Sequence, residues 1–175
     1  MSKENKMKDF DIDKVVLSVG GTTEELERGI KLLKLLTGMK ACKAESKKRI
    51  PALGVRPGLE VGCKVTLRRE KAKELLKRLL ETNNNQLKEK QINDETFSFG
   101  IKEYIEIPKV EYQRDIGIIG FNVSVSFKRK GKRVILRKLK KGKLPKRHKV
   151  TKAEIIKFMQ EKFNINMIGG KHDRE

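Results

Sequence analysis

Aromatic residues are scarce in this 175-residue chain, with two Tyr and seven Phe. With 37% hydrophobic residues they suffice for one core, but not a large one, so one domain is expected. Cysteine is scarcer still. Cys42 and Cys63 are too few for a secreted disulfide scaffold and form no C-x-x-C pair, which fits a reducing cytoplasm. The two histidines, His148 in a basic stretch and His172 near the C-terminus, belong to no His/Cys cluster with zinc-ligand spacing. Glu103, Glu106, Glu111 and Asp115 have no base or metal partner in any recognisable motif. Gly20-Gly21, between a strand and a helix, matches neither a dinucleotide fingerprint nor a P-loop, so it reads as a turn. Neither an enzymatic activity nor a cofactor is expected. No stretch approaches the ~20 apolar residues that cross a bilayer, and Met1 to Asp9 carries no apolar signal segment.

What the chain has in excess is positive charge. Lys and Arg number 43 against 23 Asp and Glu, a formal charge of +20. Like charge at this density repels itself in a compact particle, and a polyanionic partner relieves it. Nucleic acid is the leading candidate and an anionic membrane surface the second.

The hydrophobic pattern gives the order of elements. From Asp13 to Val19, Val15, Leu17 and Val19 alternate with Lys14, Val16 and Ser18, the period of a half-buried strand. After Gly20-Gly21, Thr22 and Glu25 have capping-box spacing; Leu26, Ile30 and Leu33 form a helical stripe that Gly38 ends. Glu24–Arg28 and Glu27–Lys31 are i,i+4 pairs on its wet side. Residues 40–58 hold Lys43, Lys47, Lys48, Arg49 and Arg56 among two prolines and two glycines, which predicts a protruding loop or flared hairpin. Val61, Cys63, Val65 and Leu67 then alternate with Gly62, Lys64, Thr66 and Arg68 in the clearest strand. A second helix runs from about Glu70 to Thr82. Further strands are expected at 87–92, 97–107, 121–128 and 132–139. Every charged residue from Lys128 to Lys152 is basic, and this stretch reads as a structured, phosphate-tracking ribbon. Thr151 and Glu154 form a second capping box before a helix with Ile155, Met159 and Phe163 on one face.

This order predicts an α+β fold, a single domain over residues 10–167 with its helices on one sheet face and the other face open. Residues 1–9 are expected to be a flexible N-terminus and 168–175 a flexible tail. The open face would expose Lys64, Thr66 and Arg68 on one strand and Asn122, Ser124, Ser126 and Lys128 on another. Hydroxyls, an amide and cations suit ribose 2′-OH groups and phosphates, the accessible features of an RNA minor groove. No aromatic residue stands at these positions, so the pattern favours duplex shape over stacked single-stranded bases. A plain solvated face remains the alternative at this point.

Four collinear segments, KVTLR (64–68), FSFGIKEYIEIP (97–108), DIGIIGFNVSV (115–125) and KRHKVTKAEIIKFMQEKF (146–163), resemble the universal large-subunit ribosomal protein five family in its archaeal and eukaryotic form. The resemblance spans roughly residues 10–167. It implies an antiparallel sheet backed by helices, and a non-enzymatic structural role in the central protuberance of the large subunit. The implied partners are 5S rRNA, large-subunit rRNA, P-site tRNA, neighbouring ribosomal proteins and the small-subunit head. Residue by residue, it implies rRNA contacts at Lys14, Ser18, Lys40, Lys64, Thr66 and Arg68. A tRNA-facing loop would carry Lys47, Lys48, Arg49 and Arg56. The basic ribbon would offer Arg133, Arg137, Lys138, Lys146 and Arg147 to phosphate. The chain departs from the family where Ser18 and Met39 replace the usual Asn and Gln, and where Arg69 replaces the usual Gly. A different class of function, a basic protein that coats any nucleic acid or acts as an RNA chaperone, is equally compatible with the charge alone.

Overall fold

A computed structural model of the chain describes residue 5 and residues 7–108 and 110–168. The element order is β1 (Phe10–Gly20), α1 (Thr23–Thr37), β2 (Cys42–Glu45), β3 (Glu60–Leu67), α2 (Arg69–Thr82), β4 (Gln86–Lys88), β5 (Ile92–Asn93), β6 (Thr96–Ile101), β7 (Phe121–Arg129), α3 (Arg133–Leu136), α4 (Lys152–Phe163) and β8 (Asn166–Ile168). Six strands form one antiparallel sheet in the order β2-β3-β1-β7-β6-β5, while β4 and β8 pair in parallel beside it. The α+β expectation holds.

Strict alternation builds the sheet. Val15 pairs with Leu67 and Val125, and Leu17 with Val65 and Val123; all of these side chains are buried. On the same face, Phe97 and Phe99 of β6 pair with Val125 and Val123. The scarce aromatics are spent here. Phe158 of α4 packs 5.0 Å from Phe10 and 5.7 Å from Phe127, the latter near-perpendicular, tying the last helix to the sheet. From α1 come Leu26, Leu32, Leu33 and Leu36, and from α2 Ala72, Leu75, Leu76, Leu79 and Leu80. The buried stripe of α1 is therefore shifted from the expected one, with Ile30 only partly buried.

The β1–α1 and β3–α2 junctions share a device. In each, the first helical residue has a left-handed backbone, Thr23 at φ 47° and Arg69 at φ 58°. A glycine at 69 would adopt this without penalty, whereas arginine bears a steric cost of about 1 kcal/mol. Thr22, at the first junction, makes no side-chain bond into α1, so the expected Thr22–Glu25 capping box does not form. At α4 the Thr151–Glu154 box does form, with Thr151 N–H donating to Glu154 at 3.0 Å. Of the two expected pairs on α1, Glu24–Arg28 closes at 3.6 Å; Glu27–Lys31 does not come within ion-pair distance.

Three expected strands change. β6 ends at Ile101 and gives way to a short 3-10 turn at Tyr104–Glu106, whose buried Tyr104 ring would not fit a continuing ladder. Residues 87–92 divide into β4, a 3-10 turn and β5, because β4 pairs with β8 rather than with the main sheet. The largest correction is at 132–139. Gly131, at φ 94°, turns the chain out of β7 where β1 has no further residue to pair, and Arg133–Leu136 coils into one helical turn. Val134, Ile135 and Leu136 are consecutive rather than alternating, so they offer a strand no buried face. The expected flexible termini lie largely in residues 1–4, 6 and 169–175, outside the described residues.

Two measurements test the packing. Gly29 of α1 sits where an added Cβ would come 2.8 Å from a Val19 methyl and 3.3 Å from the Cys63 sulfur. Alanine favours helix by about 1 kcal/mol, so a gain in stability for Gly29→Ala would refute the close approach; a net loss of about 1–3 kcal/mol by denaturant titration is expected. Second, Arg129, 10% exposed, grips both oxygens of Glu154 at 2.6 Å. Burial alone would raise the Glu154 carboxyl, but the Thr151 amide and Arg129 lower it below the ordinary glutamate value. The pair's contribution is therefore complete above that ordinary value and is lost as pH falls through the depressed one. Thermal melts of Glu154→Gln should lie below wild type at neutral pH and converge with it in acid.

Candidate nucleic-acid interface

The face opposite the helices is crossed by polar rows, assembled by strand register. One row runs Cys42, Lys64, Ser18, Asn122, Gly100 across five strands. The next runs Thr66, Val16, Ser124, Ser98, and a third joins Lys14, Ser126 and Thr96. Sequence alternation placed Lys14, Ser18, Lys64 and Thr66 on one face of their strands, and the structure brings them together. It adds Ser98 and Thr96 of β6, whose part could be read only once that strand's register was known. None of the rows contains an aromatic residue. Small hydroxyl and amide side chains keep the surface shallow, and Gly100 leaves a gap beside Asn122.

At one end of the face three strands meet at Asp13. Ile12 and Val15 are both buried although three residues apart, and a β-bulge between Ile12 and Lys14 absorbs the extra residue. Asp13, only 14% exposed, accepts from Lys128 at 2.7 Å and lies 3.5 Å from the Arg68 guanidinium. Burial works to raise its carboxyl, but the Lys128 hydrogen bond and the charges of Lys128, Arg68 and Lys132 hold it below the usual aspartate value. Arg68 is thus fixed at the edge of the face rather than free. The odd Ile12–Val15 spacing was the sequence signal for the bulge, and Asp13 was not among the expected site residues.

The 40–58 excursion is a flared hairpin with an ordered tip. Ser46 and Gly58 and then Ile50 and Val55 exchange backbone hydrogen bonds beyond the β2–β3 ladder. Gly54, at φ 64°, closes the tip turn after Pro51–Leu53. Lys47, Lys48, Arg49 and Arg56 are exposed along it. Lys40 is exposed in the connection from α1 to β2, outside the polar rows. Met39 is exposed beside it.

Arg133, Arg137, Lys138, Lys146 and Arg147 are all exposed, but on a helical turn and irregular chain rather than on a ribbon. The root of this segment is anchored beside the face. Lys130 pairs with Asp9 at 2.9 Å, Lys132 lies 3.7 Å from Glu95, and His148 Nε2 sits 3.0 Å from the Lys130 carbonyl oxygen. His148 is therefore engaged with backbone, not presented to phosphate as expected. Cys63 is buried, and burial raises its thiol. Among the described residues no three His, Cys, Asp or Glu side chains converge as metal ligands would. No described helix is long and apolar enough to cross a membrane.

The sequence profile for the C-terminus of the uL5 ribosomal protein family matches residues 60–158. The large ribosomal subunit protein uL5 of Sulfolobus acidocaldarius is 42% identical over 171 residues, covering 96% of each chain. That of Nanoarchaeum equitans is 42% identical, covering 94% of this chain and 99% of its own. That of Methanobrevibacter smithii is 39% identical, over 94% and 98% respectively. The profile spans β3 to α4, both junction and open-face strands included, and the relatives extend the match through β1; the chain belongs to the uL5 ribosomal protein family.

Proposed function

We propose that this protein, a non-enzymatic structural component of the large ribosomal subunit at work on the cytoplasmic ribosome, binds 5S rRNA through the open sheet face. The observation that carries this reading is the set of registered rows. Cations, hydroxyls and an amide repeat across five strands with no aromatic among them. Such a surface suits the wide, shallow minor groove of duplex RNA, where ribose hydroxyls and phosphates are reached without unstacking a base. Lys14, Ser18, Lys64 and Thr66 would make the central contacts, with Arg68 at the margin and Lys40 beyond it.

The two basic projections extend the grip. The ordered hairpin bearing Lys47, Lys48, Arg49 and Arg56 is suited to P-site tRNA, because its exposed cations stand away from the sheet on a braced stalk. The segment bearing Arg133, Arg137, Lys138, Lys146 and Arg147 is suited to large-subunit rRNA phosphates. The central-protuberance proteins and the small-subunit head complete the proposed surroundings.

Binding of the purified chain to 5S rRNA and to an unrelated RNA duplex tests the first assignment. Thr66→Ala and Arg68→Ala should each weaken 5S binding by about 1–3 kcal/mol while affecting the unrelated duplex less. Equal wild-type affinity for both RNAs at moderate salt would reject it in favour of a general polyanion-coating protein. For the hairpin, neutralising Lys47, Lys48 and Arg49 together should leave 5S binding nearly intact and weaken tRNA retention on assembled ribosomes. The reverse outcome would mean that the two surfaces have been exchanged.

A further inference from the structure

Asp13 is out of place on a face that otherwise favours polyanions. A carboxylate there repels phosphate and occupies two of the cations that would bind it. Yet it is held firmly, on a bulge of the central strand and nearly buried, with Lys128 and Arg68 both directed at its Oδ1. Oδ2 takes part in neither bond. An ionised carboxylate can only accept hydrogen bonds, and an ionised acceptor binds a hydroxyl about twice as strongly as a neutral one. The donor that an RNA backbone supplies beside its phosphates is the ribose 2′-OH.

We propose that Asp13, Arg68 and Lys128 form a ribose-reading site, in which Asp13 Oδ2 accepts a hydrogen bond from one 2′-OH while the two cations meet the phosphates on either side of that ribose. This deepens the RNA-binding reading above and depends on it. The arrangement makes Asp13 a specificity residue. A backbone with the hydroxyl satisfies the carboxylate, and a backbone without it leaves a desolvated acceptor facing phosphate. The bulge serves the site directly. With regular alternation from Val15, residue 13 would point into the core.

The test compares 5S rRNA transcribed with ordinary nucleotides and with 2′-fluoro nucleotides, which keep the A-form helix but cannot donate. Affinities are measured for the full chain, Asp13→Asn and Asp13→Ala, with thermal melts to confirm folding. Wild type should prefer the hydroxyl transcript. Asp13→Ala should reduce that preference about tenfold, chiefly by gaining affinity for the fluoro transcript, and Asp13→Asn should reduce it severalfold. A preference unchanged within about twofold in the variants would overturn the site, as would an equal loss of affinity for both transcripts. If Asp13→Ala does not melt cooperatively, the near-isosteric Asn variant decides alone. A wild-type protein that binds 5S rRNA no better than unrelated RNA would instead defeat the broader reading, so the two failures are separable.

Discussion

β1 hydrogen-bonds along both of its edges, to β3 on one side and β7 on the other, and every side chain on it is thereby committed to one of two faces. Because the side-chain period is two, a slip of one residue in either pairing would drive Lys14 and Ser18 into the core and Val15 and Leu17 into solvent. Burial of Val15, Leu17 and Val19 against α1 and α2 fixes the register. The same register builds the polar rows on the opposite face. Core and candidate RNA surface are two consequences of one alignment.

The helices can serve this arrangement only because they come very close to the sheet. Gly29 lets α1 settle onto Val19 and Cys63, and the left-handed residues at Thr23 and Arg69 turn each strand directly into its helix. With both principal helices confined to one side, the other side is left for a large, flat ligand. That suits a chain whose +20 charge works against compactness until a polyanion neutralises it. The few internal ion pairs lie at the margins of the sheet, at Asp13 and at Arg129–Glu154, where they anchor the start of the basic segment and the final helix.

Much of this was legible in the residues. Alternation in 13–19, 61–68 and 121–128 marked the three central strands and their polar faces. The turn residues of 40–58 announced a hairpin, and Thr151–Glu154 announced the start of α4. The second basic element misled, because a run of cations with interspersed aliphatics looks the same in a ribbon and in a helical turn. Gly131 decided between them, through a backbone angle that its identity permits but does not require. The capping box at Thr22 failed for a similar reason, since spacing alone does not reveal that Thr23 enters the helix left-handed.

The sequence by itself determined which residues face the core and which face solvent within each strand, because that depends only on neighbours two positions apart. It also determined the sign of the ligand, because charge is additive. Only the tertiary structure decided which strands lie side by side, and so which hydroxyls, amides and cations line up into rows. It alone brought Asp13, Arg68 and Lys128 to one point, from positions separated by 55 residues in one direction and 115 in the other. Such a meeting depends on the order of strands in the sheet and on one bulged residue, and no local pattern encodes either.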